Sequence, residues 1–220
     1  MTIGIYSDSA DIQPAVWLEG AVKIGRLLSK NSVDARFVSR AELNDASFGL
    51  DDFSTLIFGG GYAYPGYTQH ITQEGKKRLR DFVSQGGTYI GICAGAYFAG
   101  SRVVYAGIDI TESGGYDLGL FSGTVSGPAY KSHPDFRWKR TQISFEDDRA
   151  SVRYAAAPRF AEPGNGNKVE SIQWIAQYND GTPAIIEQEY GSGKVILWGP
   201  HPEIGRSKKV LDVFMDQILK

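Results

Sequence analysis

The sequence predicts a layered α/β fold on a mostly parallel central sheet, and three observations carry that prediction. In the first hundred residues, short apolar runs alternate with stretches of helical periodicity, the pattern of strand–helix–strand crossovers. Near residue 106 the period changes: glycine and tyrosine become frequent, and β-like runs follow one another between turn signals. The 220 residues suffice to bury roughly 70 % of the unfolded surface without metals or disulfides. No linker or repeat divides them, so residues 1–220 are expected to form one domain.

Ile3 to Tyr6 reads as the first strand, ended by Asp8-Ser9. Ala15 to Leu28 reads as a helix with Leu18, Val22, Leu27 and Leu28 near one face. Ala35 to Val38 and Leu56 to Phe58 are the next strands, the latter stopped by Gly59-Gly60-Gly61. A second helix has Thr72 as its N-cap, an apolar stripe of Leu79, Phe82 and Val83, and a stop at Gly86-Gly87. Tyr89 to Ile92 is a strand that runs into Cys93. Strands and helices in this order imply parallel pairing through right-handed crossovers.

The second half is expected to append antiparallel hairpins to that sheet. Its candidate strands are Leu120 to Val125, Thr141 to Phe145, Val152 to Ala155, Ile172 to Gln177 and Ala184 to Gln188. Gly164-Asn165-Gly166 and Asn179-Asp180-Gly181 are turn signals between them. Gly191-Ser192-Gly193-Lys194 is a hairpin turn, because Gln188 stands where a phosphate loop needs its first glycine. Lys194 to Trp198 is the last strand, and a closing helix carries Val210, Leu211, Phe214 and Ile218 on one side.

Composition removes several classes of function. With 23 basic and 25 acidic side chains the net charge is −2, so no cationic excess is available for nucleic acid. The stretches Lys76-Lys77-Arg78 with Arg80, and Lys208-Lys209, read as solvated helix faces. A single cysteine excludes an internal disulfide and a multi-cysteine zinc site. His70 and His133 lack partners at metal-ligand spacing and are read as outside the chemistry, so no metal or cofactor is expected. No apolar run approaches the ~20 residues of a membrane span, and Met1 to Ile5 leads straight into a strand without a leader pattern. The expectation is a soluble cytoplasmic protein with a small-molecule substrate.

Two short motifs carry chemistry. Cys93 sits in Gly91-Ile92-Cys93-Ala94-Gly95, between a strand and a helix that starts near Ala94. Small neighbours permit the sharp bend that exposes a nucleophile, and Cys93 is expected in a sparsely populated backbone region. A helix N-terminus favours thiolate, and the Ala94 amide points toward an oxyanion. The bland alternative, a buried cysteine serving as a small hydrophobe, fits the flanking glycines less well. His201-Pro202-Glu203 follows the last strand. Residues i and i+2 of extended backbone share a face, so Glu203 can hold the imidazole of a base aimed at the nucleophile; a polar turn is the alternative. Both motifs fall at the carboxyl ends of strands, where open α/β sheets bind ligands. Gly59, Gly60 and Gly61 either present amides to a substrate or form a plain turn, and Tyr62, Tyr64 and Tyr67 then line a pocket mouth or simply pack.

In order and separation these motifs resemble class I glutamine amidotransferase-like proteins. The longer string from Gly91 to Ala99, with Gly59-Gly60-Gly61-Tyr62 and Gly127-Pro128-Ala129-Tyr130, is similar to the amidotransferase-like domain at the N-terminus of biotin–protein ligases, also found as a stand-alone bacterial protein. The resemblance implies a flavodoxin-like three-layer sandwich, with Cys93 as nucleophile, His201 as base and Glu203 as its orienting acid. It implies oxyanion amides from Gly60, Gly61 and Ala94, and substrate contacts from Gly59, Tyr62, Tyr97 and Tyr130. One departure stands out: glutamine-hydrolysing members carry Gln four residues after the nucleophile, and here Tyr97 occupies that place. The chain also lacks a Gly-Arg-Gly-rich biotin loop and room for a ligase domain. The expected function is a Cys-His-Glu thiol enzyme that hydrolyses or transfers an acyl group from an amide or ester other than free glutamine. The alternative is a ligand-binding or regulatory module that retains the fold.

Overall fold

The computed structural model describes residues 2–8, 16–130, 137–146, 148–163 and 172–219. Strand β1 (Thr2–Tyr6) leads through α1 (Leu18–Lys30) to β2 (Ala35–Val38), and a short α2 (Arg40–Asn44) precedes β3 (Phe53–Phe58). A wide turn over Ala63–Tyr67 and α3 (Thr68–His70) lead into α4 (Gln73–Ser84), β4 (Thr88–Ile92) and α5 (Ala94–Ala99). Next come β5 (Gly100–Tyr105), β6 (Ile108–Asp109), β7 (Phe121–Gly127), β8 (Lys139–Ser144), β9 (Arg149–Tyr154) and β10 (Arg159–Ala161). The chain continues through β11 (Ile172–Tyr178), β12 (Pro183–Tyr190), β13 (Gly193–Trp198), a 3₁₀ turn at Pro202–Ile204 and α6 (Lys208–Leu219).

The main sheet has nine strands in the order β2-β1-β3-β4-β13-β12-β11-β8-β9. Its first five are mutually parallel, so the strands at Ile3, Leu56, Ile90 and Val195 share one sheet as expected. Their apolar runs explain the central position: Ile5, Ile57, Ile90 and Leu197 are fully buried, which suits strands covered on both faces. From β12 to β9 the pairing is antiparallel, and the Gly191-Ser192 turn joins β12 to β13 as a hairpin.

The second half departs from expectation in one respect. Leu120 to Val125 does not join the main sheet; it falls in β7 of a separate four-stranded sheet, β10-β7-β5-β6, in which β5 and β7 run parallel. The physical reason is α5, which is only six residues long and delivers β5 beside the Cys93 turn rather than back to the main sheet. Gly164-Asn165-Gly166 and His133 lie outside the described residues.

Helix α1 starts later than its periodicity suggests, because Val16 pairs with Gly61 in an antiparallel bridge. Its buried face is Gly20, Ala21, Ile24 and Leu28; Leu18 is half exposed, and Val22 and Leu27 are only partly buried. Thr72 caps α4 as expected, accepting from the Gly75 amide (3.1 Å). The basic stretch on α4 is not all solvated face. Lys76 is buried, donates to the Thr68 carbonyl at 3.0 Å and pairs with Asp117. Arg78 donates to the Leu43 carbonyl (2.7 Å) at the end of α2. In α6 Val210, Phe214 and Ile218 are buried, with Met215 rather than Leu211 beside them. Among the described residues no helix is long and apolar enough to cross a membrane.

Candidate active site

Cys93 occupies the turn between β4 and α5 with φ 50° and ψ −100°, a conformation that costs a residue bearing a Cβ on the order of 1–3 kcal/mol. The turn is held against the end of β3. The Gly95 amide donates to the Gly59 carbonyl (3.2 Å), which also accepts from the Tyr67 hydroxyl (2.9 Å). The Tyr89 hydroxyl donates back to the Gly95 carbonyl (2.8 Å). A Cβ at Gly95 would lie 2.1 Å from the Phe58 carbonyl oxygen, and one at Gly91 2.7 Å from the Gly95 carbonyl carbon. The flanking glycines therefore serve this close approach. Ala94 is the first residue of α5, so its amide has no partner within the helix. Because glycine tolerates these dihedrals, Cys93→Gly is expected to melt no lower than wild type while losing thiol reactivity, a comparison that thermal unfolding checks.

His201 and Glu203 follow β13, the strand beside β4. His201 is extended (φ −102°, ψ 100°), but Pro202 opens a 3₁₀ turn. Glu203 therefore reaches the ring across that turn and not by strand alternation. Its Oε1 lies 2.7 Å from His201 Nδ1, and both side chains are buried. Burial alone would lower the affinity of the imidazole for a proton. The Glu203 carboxylate, hydrogen-bonded to the ring, and then the Cys93 sulfur outweigh it and push His201 up to about 10. Gly60 makes room for the ring, since a Cβ there would meet His201 Cε1 at 2.2 Å.

Two tryptophans not singled out in the sequence cover His201. Trp138 meets the imidazole edge-on at 4.7 Å between ring centroids, and Trp17 at 6.2 Å. The two indoles are 5.0 Å apart. The two indoles thus screen the buried ring from solvent on one side. Trp17 escaped notice because it sits just before α1; Trp138 offered no signal, since it lies one residue before a strand.

A cavity of about 250 Å³ opens on Cys93, lined by Gly61, Tyr62, Ala94 and Tyr97 from the expected set, together with Tyr105 and Tyr116. Beyond Cys93 stand Ala155 and Ala156, whose carbonyls accept from the Cys93 thiol (3.6 Å) and the Tyr97 hydroxyl (3.0 Å). Burial, and then the neighbouring Cys93, hold the Tyr97 phenol well above its ordinary range, so it stays a neutral donor, engaged with Ala156. Tyr130 is placed elsewhere: it packs against Tyr154 and Tyr178 at 5.1 and 5.6 Å, with its hydroxyl 2.6 Å from that of Thr141. The Gly59 carbonyl is taken up by the Gly95 amide and the Tyr67 hydroxyl. His70 stays outside this constellation, with Nδ1 3.7 Å from Asp8. Among the described residues no group of acidic, histidine and cysteine side chains is arranged to hold a metal.

This combination of a mixed α/β sheet and a strand-to-helix cysteine defines a class. Among solved structures the fold is similar to a candidate GMP synthase subunit from Thermoplasma acidophilum (TM-score 0.60, 15 % identity, 99 % of this chain and 92 % of that one). It is also similar to a glutamine amidotransferase from Thermotoga maritima (TM-score 0.55, 12 % identity, 99 % of this chain and 84 % of that one). The fold is thus class I glutamine amidotransferase-like. Residues 26–217 match the family described as biotin-protein ligase, N terminal, and the chain belongs to that family. Two relatives are similar in sequence. An uncharacterized protein of Chlamydia muridarum is 33 % identical over 170 residues, covering 67 % of this chain. The biotin–protein ligase of Schizosaccharomyces pombe is 31 % identical over 166 residues, again 67 % of this chain. The matches take in 60 % of the first relative and 25 % of the second.

Proposed function

We propose that this chain is a thiol enzyme of the amidotransferase-like class, acting in the cytoplasm on a small amide or ester with an apolar acyl group. The observation that carries the reading is the buried His201–Glu203 pair, 2.7 Å apart, whose imidazole is held charged by the Glu203 carboxylate and then by the Cys93 sulfur. The strained backbone of Cys93 supports a nucleophile elbow. The crossover through α4 runs in the sheet direction opposite to that through α1, which supports a flavodoxin-like three-layer sandwich in a single domain. A lone free cysteine suits a reducing compartment.

In this reading the Cys93 thiolate attacks the substrate carbonyl, and the oxyanion is met by amides of Ala94, Gly60 and Gly61. The tetrahedral adduct collapses as His201 gives its proton to the leaving amine or alcohol. Water or an amine then attacks the thioester, losing a proton to His201, and the thiolate is released beside the restored imidazolium. Glu203 orients the ring throughout. Free glutamine fits poorly, because Tyr97 holds no carbonyl acceptor toward the cavity and its hydroxyl is committed to Ala156. That same observation favours, as the second reading, a binding module.

Incubation with p-nitrophenyl esters of increasing acyl length, followed by intact mass measurement, separates the two. The enzyme reading expects an acyl adduct on Cys93 that forms and decays, and that Cys93→Ala lacks, with no ammonia from glutamine. A chain that never acylates under these conditions is a binding module.

A further inference from the structure

We propose that a second cleft, formed where β8 and β9 meet the loop into α6, binds a phosphoryl group carried by a small molecule. The cleft measures about 440 Å³ and is lined by Arg140, Ser151, Arg153, Gly205, Arg206 and Ser207, none of which touches the Cys93 cavity. A volume of this order suits a ligand the size of a mononucleotide.

The cleft is cationic. Arg140 and Arg153 stand directly opposite one another in the β8–β9 ladder. Like charges at such a position destabilise a sheet, and Arg206 adds a third guanidinium from the adjoining loop. The arginines with carboxylate partners lie elsewhere, at Arg36, Arg102 and Arg159. Among the described residues Arg140, Arg153 and Arg206 have none. Helix α6 adjoins the cleft with Lys208 paired to Asp212 (3.2 Å), and with Lys209 over the Phe145 ring and no acidic residue in its first turn. All this occurs in a chain whose net charge is −2.

Three planar guanidiniums offer only donors, in forks that match the oxygens of a phosphoryl group, and the two serine hydroxyls supply further donors. The acidic balance of the whole chain argues against a nucleic-acid strand as occupant. The cleft abuts the other site through the backbone, since the His201 amide donates to the Arg153 carbonyl (2.8 Å). The proposal does not depend on the chemistry at Cys93.

Calorimetry and thermal shift on the whole chain at low salt test it, with inorganic pyrophosphate and AMP as probes and citrate as a carboxylate control. We expect saturable 1:1 binding of both phosphates, a raised melting temperature, and weaker binding of citrate. Arg153→Gln is expected to weaken pyrophosphate at least tenfold, and the Arg140→Gln/Arg153→Gln pair to remove binding at millimolar concentration. Cys93→Ala should bind as wild type does. Because a like-charge neighbour is removed, Arg140→Gln without ligand should melt at or above the wild-type temperature, which shows that lost binding is not lost folding. Absent binding of both phosphates, binding untouched by the double variant, or citrate bound as tightly as pyrophosphate would each overturn the proposal.

Discussion

Changing His201 to alanine is expected to slow iodoacetamide labelling of Cys93 at pH 6 by about tenfold or more, since a neighbouring imidazolium is what keeps a thiol reactive in mild acid. The sign follows from the ring. His201 is held as imidazolium up to about 10, so in wild type its charge faces the sulfur throughout the neutral range. The alanine variant should label faster as pH rises, so that wild type leads it most at pH 6. Glu203→Gln should fall between them, because the carboxylate acts only through Nδ1. The same pairing predicts stability. The folded-state value lies above the ordinary 6.5 of an unfolded histidine, so its stabilising contribution is complete below about 6.5 and is lost as pH rises through about 10. Denaturant titrations should show a loss in that alkaline window that His201→Ala lacks. Equal labelling of wild type and variant at pH 6 would remove His201 from the chemistry.

The largest effect on folding is expected at Gly95. Its missing Cβ would sit 2.1 Å from the Phe58 carbonyl oxygen, a backbone atom that cannot swing aside. The turn is also tied to β3 through the Gly59 carbonyl, so relief would require parting β3 from α5. Gly95→Ala should cost about 3 kcal/mol or more, read as a large drop in denaturation midpoint or as insoluble expression. Gly181→Ala is the useful contrast. Gly181 lies in an open turn with no atom within 4 Å, so only its positive φ of 78° resists the change, and about 1 kcal/mol should be lost. Comparable losses at both positions would mean that the elbow has more room than its contacts imply.

These contacts show what was legible beforehand. The parallel half could be read because its strands are buried on both faces, so Leu56 to Phe58 and Tyr89 to Ile92 appear as unbroken apolar runs. The Cys93 turn could be read because close approach admits only small residues around it. The second sheet could not: β6 is two residues and β10 three, too short for any period to register. Nor could the walls of the cavity, since Tyr105, Ala155 and Ala156 lie in segments that only tertiary packing brings to Cys93. His201 and Glu203 were matched for a reason that proved incomplete. Alternation of extended residues predicts their contact, but the 3₁₀ turn at Pro202 makes it. Leu18 misled because amphipathic period alone does not register that Gly20 and Ala21 let α1 pack closely on another face.

The pair of indoles over His201 gives the site an optical signal of its own. An imidazolium accepts an electron from excited indole far better than a neutral ring does, so Trp17 and Trp138, within 6.2 and 4.7 Å of the ring, should emit dimly while His201 carries its proton. Trp198 is buried against Phe214 and Trp174 lies on the surface of β11, so both contribute a steady background. If Cys93 is acylated as proposed, with His201 giving up its proton to the leaving group, the two quenched indoles should brighten. Emission intensity can thus follow the protonation of one buried imidazole, in unlabelled protein and with a ligand that need not carry a chromophore.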